Sequence, residues 1–337
     1  MANLKTTYLG LELNSPLVVG ASSLSSDPDK VKELEDAGAG AIVFKSLFEE
    51  QIQLEELELM SALEEYEERN AEMTRLFPSL KHAGPKEYLL RLKKAKSNLS
   101  IPLIASLNAM HDDTWIDWAK QIEETGVDAL ELNFFTTPRD FEMTGSDIIQ
   151  KQIDTLKSVR SYVKIPIAVK LSSFYTNPLS VINRMDLEKI NGFVLFNKMF
   201  QPDIDIEKEQ LEQSIILSNS YDVRLAIRFA GLLYGNIHSD ISSAGGIING
   251  TDAIKTILAG ASTFQVVSTL YQNGVGQIPI ILSEIEKWMD SKGYKSIDEF
   301  KGKLSRKYMK DPFAYRRSQY VDIIMRSEEI LKNKALI

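Results

Sequence analysis

Residues 101–133 read IPLIASLNAMHDDTWIDWAKQIEETGVDALELN. Two apolar runs, IPLIASLN and VDALELN, bracket the segment DTWIDWAKQIEETG, in which apolar residues recur at helical spacing and a glycine follows. The pattern is strand, amphipathic helix, strand. Both strands are apolar almost throughout, which is what a parallel sheet covered on both faces requires, and the crossover between them keeps one hand.

The unit repeats outward in both directions. Comparable runs are PLVVGASS (16–23), GAIVFKS (40–46), IPIAVKLS (165–172), GFVLFN (192–197), SDISSAGG (239–246) and STFQVVST (262–269). Helical segments such as SDIIQKQIDTLKSVRSYV and GTDAIKTILAG lie between them. With the two runs of the opening stretch this gives eight candidate strands, and the expected fold is α/β, a closed (β/α)8 TIM barrel. An open doubly wound sheet is the alternative, but no G-x-G-x-x-G turn follows the first strand. The barrel is expected to span 1–285. An insertion over about 47–100 follows the second strand, and its acidic run EEQIQLEELELMSALEEYEERN reads as a solvated helix face. Residues 198–238 are long enough for a hairpin and the helix before the seventh strand. A helical extension over 286–337 is expected to pack on the barrel.

Composition excludes several functions. A net charge of −8 argues against nucleic acid as a partner. The absence of cysteine removes disulfides, thiolate nucleophiles and any iron–sulfur cluster ligated by this chain. The three histidines are not clustered at ligand spacing, so no metal is expected. The N-terminal stretch lacks the apolar run of a signal peptide, and no segment approaches membrane-spanning length. A cytoplasmic protein with no membrane partner is the expectation.

Function in such a barrel sits at the carboxyl ends of the strands. Those ends carry Ala21, Ser22 and Ser23, Lys45 and Ser46, Asn133, Lys170, Asn197 and Lys198, Gly245 and Gly246, and Ser268. Lys45 and Lys170 each end an apolar run (AIVFK, IAVK), where an unpaired charge would cost several kcal/mol (~2–7) if buried. An anionic ligand would pair them. The segment SSAGGIINGTDAIKTILAGASTFQVVSTL (242–270) places two glycines after the seventh strand and a short helix after the eighth, where backbone amides can approach a phosphate.

In order and spacing, LGLELNSPLVVGASS, VFKS, LELN, IAVKLS, LFN and the 242–270 segment resemble the dihydroorotate dehydrogenase family over about residues 5–275. The resemblance implies bound FMN. Ala21, Ser22, Ser23, Lys45, Ser46, Asn133 and Lys170 would lie about the flavin, and Gly245, Gly246, Val267 and Ser268 about its phosphate. Asn133, Asn197 and Lys198 would face the substrate. Catalysis would fall to Lys45 and to Thr136, which stands where family members carry a cysteine or serine base. The activity implied is oxidation of dihydroorotate or a related dihydropyrimidine, in pyrimidine metabolism, with a soluble electron acceptor and a homodimeric state. The alternatives are an FMN enzyme of the same fold with another substrate, or a non-catalytic flavin- or phosphate-binding barrel. Three departures bear on the substrate. The family's N-L-S-C-P-N reads Asn133-Phe134-Phe135-Thr136-Thr137-Pro138 here. Its N-S-M-G-L-P-N-like loop has no counterpart in 66–88, and Lys198 replaces a frequent serine.

Overall fold

A computed structural model describes residues 2–50, 52, 85–108, 112–134, 141–198, 202–212, 216–311 and 315–325. In chain order the barrel strands are β1 (Leu17–Val19), β2 (Ala41–Val43), β3 (Leu103–Asn108), β4 (Ala129–Phe134), β5 (Ile167–Leu171), β6 (Gly192–Leu195), β7 (Asp240–Ala244) and β8 (Thr263–Val266). Each pairs in parallel with the next, and β8 pairs with β1, so the sheet closes. The described residues of the opening stretch fold as read, and its two strands are buried along their whole length.

The helices alternate with the strands. They are α1 (Val31–Asp36), α2 (Pro85–Asn98), α3 (Asp112–Glu123), α4 (Gly145–Tyr162), α5 (Pro178–Asp186), α6 (Val223–Leu233) and α7 (Gly250–Ala259), then a short α8 (Ser268–Asn273), α9 (Gln277–Lys292) and α10 (Arg317–Met325). Local chemistry starts them where the sequence breaks. Thr144 Oγ accepts from the Asp147 amide while Asp147 accepts from the Thr144 amide, closing a capping box on α4. Asn249 caps α7 with a single bond, its Oδ1 accepting from the Asp252 amide.

Two apolar cores result. The outer one lies between strands and helices and takes Leu107, Leu132, Leu156, Phe193, Ile257 and Ile281 among many others. The inner one fills the lower barrel, where an antiparallel hairpin (Thr6–Tyr8 with Leu11–Leu13) inserts Tyr8, Leu9 and Leu13 against Val18, Ala41, Val43, Ile104, Ala129, Ala168 and Val194. The bottom is therefore plugged and the upper end is the concave one.

Within the stretch expected to be an insertion, 85–98 forms α2, the barrel's own helix between β2 and β3. Most of the acidic run, 49–70, lies outside the described residues, as does the chain from there to 84. Residues 198–238 contain a hairpin (Asp203–Asp205 with Gln210–Glu212) and α6, as the length of that segment allows. The boundary expected at 285/286 falls inside α9. Beyond that helix, the amides of Gly302 and Leu304 donate to the carbonyls of Ile257 and Leu258 at the end of α7, and that of Arg306 donates to Gly231 on α6.

Candidate active site

Strand register sets the upper rim. Asn133 on β4 lies beside Lys170 on β5, and Ala244 on β7 beside Gln265 on β8. Above them opens a cavity of about 580 Å³, lined by Ala21–Ser23, Lys170, 196–198, 216–218, 244–247, Gln265, Val267, Ser268 and Tyr271. That volume suits a small molecule or cofactor.

The β7–β8 side is made largely of backbone. Gly245 and Gly246 both adopt positive φ, +87° and +74°. A Cβ on Gly246 would lie 2.3 Å from the Val223 amide nitrogen and 2.7 Å from the Asn219 carbonyl oxygen, so glycine is required there on two counts. A Cβ on Gly245 would meet only the Phe196 carbonyl oxygen, at 4.0 Å, which leaves its outer face open. The two nearby helix starts differ. That of α7 is closed by protein, since the Gly250 amide donates to Glu284 Oε2 at 2.6 Å and Asn249 caps the next turn. That of α8 has Val267 at its cap and no side-chain cap bond; the Leu270 and Tyr271 amides donate to the Val267 carbonyl, which leaves the amides of Ser268 and Thr269 as the ones that could meet an outside acceptor. Ser268 Oγ accepts from the Ser218 amide at 3.0 Å, holding the 216–218 wall. Across the opening, Ser23 Oγ and the Tyr271 hydroxyl pair at 2.5 Å, tying the β1 loop to α8.

The β4–β6 side is made of side chains braced on one another. Lys170 Nζ donates to Gln265 Oε1 at 3.2 Å, and Gln265 Nε2 donates to Glu131 Oε2 at 2.7 Å. Glu131 Oε1 lies 3.7 Å from the same ammonium. Asn197 Nδ2 donates to Asn133 Oδ1 at 3.0 Å, which leaves the Asn133 amide group and the Asn197 carbonyl oxygen for other partners. Lys198 Nζ pairs with Asp222 Oδ2 at 3.3 Å. Among the described residues no acidic side chain lines the cavity, while two lysines do.

Of the residues singled out from sequence, this cavity brings together Ala21, Ser22, Ser23, Lys170, Asn197, Lys198, Gly245, Gly246, Val267 and Ser268. Asn133 reaches it through Asn197. Lys45 and Ser46 do not line it. Ser46 is buried and its Oγ pairs with Ser106 Oγ at 2.7 Å, while the Lys45 amide lies 3.5 Å from the Ser25 carbonyl. Thr136 lies outside the described residues, as do His82 and His111. His238 is at the far end of the barrel, where its Nδ1 is 3.1 Å from Asp186 Oδ2. Burial alone would raise the Asp186 carboxyl. Hydrogen bonds from the Ser239 hydroxyl and the His238 and Ser239 amides outweigh burial and hold it below the usual carboxylate range. Sequence reasoning missed Glu131, Gln265 and Tyr271. The first two carried the signal that exposed Lys170, a polar residue set in an apolar strand.

A second cavity, about 660 Å³, opens between the starts of α4 and α5 and contains none of the residues expected at the site. There the Tyr175 hydroxyl, pushed up to about 12 by burial, donates to Gln152 Oε1.

The family model described as dihydroorotate dehydrogenase matches residues 64–289. The chain belongs to that family. Among curated proteins it is 29% identical to the dihydroorotate dehydrogenase B (NAD(+)) catalytic subunit of Thermoplasma volcanium, covering 90% of this chain and 98% of that protein. It is 26% identical to dihydroorotate dehydrogenase A (fumarate) of Lactococcus lactis, covering 89% and 99%. The dihydroorotate dehydrogenase (fumarate) of Saccharomyces mikatae is also 26% identical, at 90% and 99%. The β-strand ends that form the cavity rim from β4 to β8 fall within the matched span.

Proposed function

We propose that this chain is an FMN-dependent oxidoreductase that oxidises dihydroorotate, or a closely related dihydropyrimidine, in pyrimidine biosynthesis. The observation that carries the reading is the cavity itself. Ten residues chosen from sequence for a flavin and its substrate converge on one space, in a chain of the dihydroorotate dehydrogenase family.

The residues present fit FMN. Ser22 Oγ is buried beside the cavity with no hydrogen-bond partner, so a polar group is called for there. Open space above Gly245 and the uncapped start of α8 supply backbone donors for a phosphate. Ala21, Ser22, Ser23, Lys170 and Gln265 would hold the flavin ring, and Gly245, Gly246, Val267 and Ser268 the phosphate. Bound FMN supplies acceptance of two electrons from a C–H bond. Lys170 would supply a positive charge to stabilise the negative charge that flavin gains on reduction. Asn133 and Asn197, locked to each other, present a donor and an acceptor in fixed orientation to the edge of a flat ring. Lys198 adds a cation suited to a carboxylate. Thr136, on the chain just beyond β4, is the proposed base that takes the substrate proton, and Lys45 remains a proposed catalytic neighbour at the end of β2.

The relatives' names divide between NAD(+) and fumarate. We assign this chain a soluble acceptor in the cytoplasm, consistent with its lack of cysteine and with no helix among the described residues being long and apolar enough to cross a membrane. The homodimer belongs to the same proposal. It draws on the 203–212 hairpin, where Ile204 and Leu211 pair across the strands and stand exposed.

The purified protein is expected to be yellow and to release FMN on denaturation. A colourless chain that cannot be reconstituted would sink the reading. Thr136→Ala is expected to slow flavin reduction by about 10²-fold or more with FMN content unchanged, and an unaltered rate in stopped flow would remove Thr136 as the base.

A further inference from the structure

Glu131 has no place in the reading above. It lies on β4 two residues before Asn133, so both side chains point into the barrel, Asn133 at the rim and Glu131 one layer below. The carboxylate is 1% exposed. One partner comes from across the barrel and the other from the neighbouring strand. Gln265 on β8 donates to one oxygen at 2.7 Å, and Lys170 on β5 stands 3.7 Å from the other. The Gln265 amide completes the triangle by accepting from Lys170. Only one orientation of that amide serves both neighbours, nitrogen toward the acid and oxygen toward the ammonium. The triangle therefore ties Glu131, Gln265 and Lys170 into one unit.

The surroundings agree. Tyr8, inserted from below, has its hydroxyl driven well above the ordinary phenol range by burial and then by Glu131 and Asp240, so it stays neutral. Lys170 is thus the cation that answers Glu131. Gln265 and Lys170 line the cavity, whereas Glu131 stands behind them. A charge in this interior is weakly screened and is felt through one layer of side chains.

We infer that Glu131 sets how much of the Lys170 charge reaches the ligand, and thereby tunes the reduction potential of the flavin bound above it. This rests on the FMN reading. Glu131 touches neither cofactor nor substrate, and acts as a positioning and field-setting residue through Lys170.

The test is dye-equilibrated reduction of the flavin-loaded protein, with thermal melting in parallel. E131Q removes the charge and keeps the shape, so the equilibrium against a reference dye should move roughly tenfold toward reduced flavin. E131D keeps the charge and should return it to within about threefold of wild type. The pair E131Q/Q265E moves the carboxylate from behind the cavity wall into it. It should shift the equilibrium the other way, and it tests the inference even if E131Q alone does not fold. A purely structural Glu131 would lower the melting temperature and leave the equilibrium unmoved between wild type and E131Q, and between Q265E and E131Q/Q265E, which would overturn the inference. So would a shift of E131Q toward oxidised flavin. Failure of wild-type protein to bind FMN would instead overturn the reading beneath it.

Discussion

The two sides of the barrel mouth solve the same problem with different parts. On the β7–β8 side the wall is main chain, with two positive-φ glycines and a helix start without a side-chain cap. On the β4–β6 side it is long polar side chains, each held by another: Lys170 by Gln265 and Glu131, Asn133 by Asn197, Lys198 by Asp222. A backbone wall suits an anion of fixed shape, such as a phosphate, because its donors neither move nor titrate. A side-chain wall suits a reacting group, because position and charge can be set separately. Under the proposed function the first side would retain the cofactor and the second would govern the reaction.

Substitutions separate the two roles. The largest expected effect is on the side-chain wall. Lys170→Ala should slow reduction of bound flavin by about 10²–10³-fold, ~3–4 kcal/mol, by the measure of removing one preorganised charge. Stopped-flow bleaching reads it, and a normal rate with normal FMN content would move the lysine out of the reaction. On the backbone wall the two glycines should diverge. Gly246→Ala combines positive φ with overlap onto main chain at Val223 and Asn219. It should lose about 2–4 kcal/mol of stability in denaturant melts, together with FMN affinity. Gly245→Ala meets open space and should lose only ~1 kcal/mol. Equal losses would mean that the 219–223 contact does not shape the loop.

A control lies at the opposite end of the barrel. Asp186→Asn should destabilise by about 1–3 kcal/mol at neutral pH, through its buried bonds to Ser239 and the two amides, with flavin properties intact. Its folded carboxyl titrates below the unfolded one. Its stabilising share is therefore complete above about pH 4, the unfolded value, and fades as pH falls through the lower folded value. The gap between mutant and wild-type melts should close on acidification. A gap that widens in acid would reverse the assignment. The smallest effect expected is that of Tyr271→Phe. Loss of the hydroxyl that bridges to Ser23 should speed FMN release about fivefold, ~1 kcal/mol, in a dilution experiment.

The same contrast decides what could be read from sequence. Eight apolar runs appear as the eight strands because strands buried on both faces leave an uninterrupted apolar signature. Gly245-Gly246 was legible because a glycine pair at a strand end has few other uses. Lys170 stood out as a charge inside IAVK. Glu131 in ALELN and Gln265 in STFQVV carried the same mark, but their meaning depends on a meeting between β4, β5 and β8, whose members lie up to 134 residues apart in the chain. Periodicity carries no information about partners across a barrel. The placement of Lys45 shows the converse: a strand-end lysine can sit beside the rim without lining the cavity. The 47–100 stretch looked like one insertion because the acidic run hides the start of an ordinary barrel helix at Pro85.

The proposed function requires this mouth to hold a flavin that dihydroorotate reduces. The most direct measurement mixes the yellow protein with dihydroorotate under anaerobic conditions and follows the flavin absorbance. The account predicts bleaching at a rate that Lys170→Ala greatly slows. Flavin that dithionite bleaches and dihydroorotate leaves untouched would contradict it.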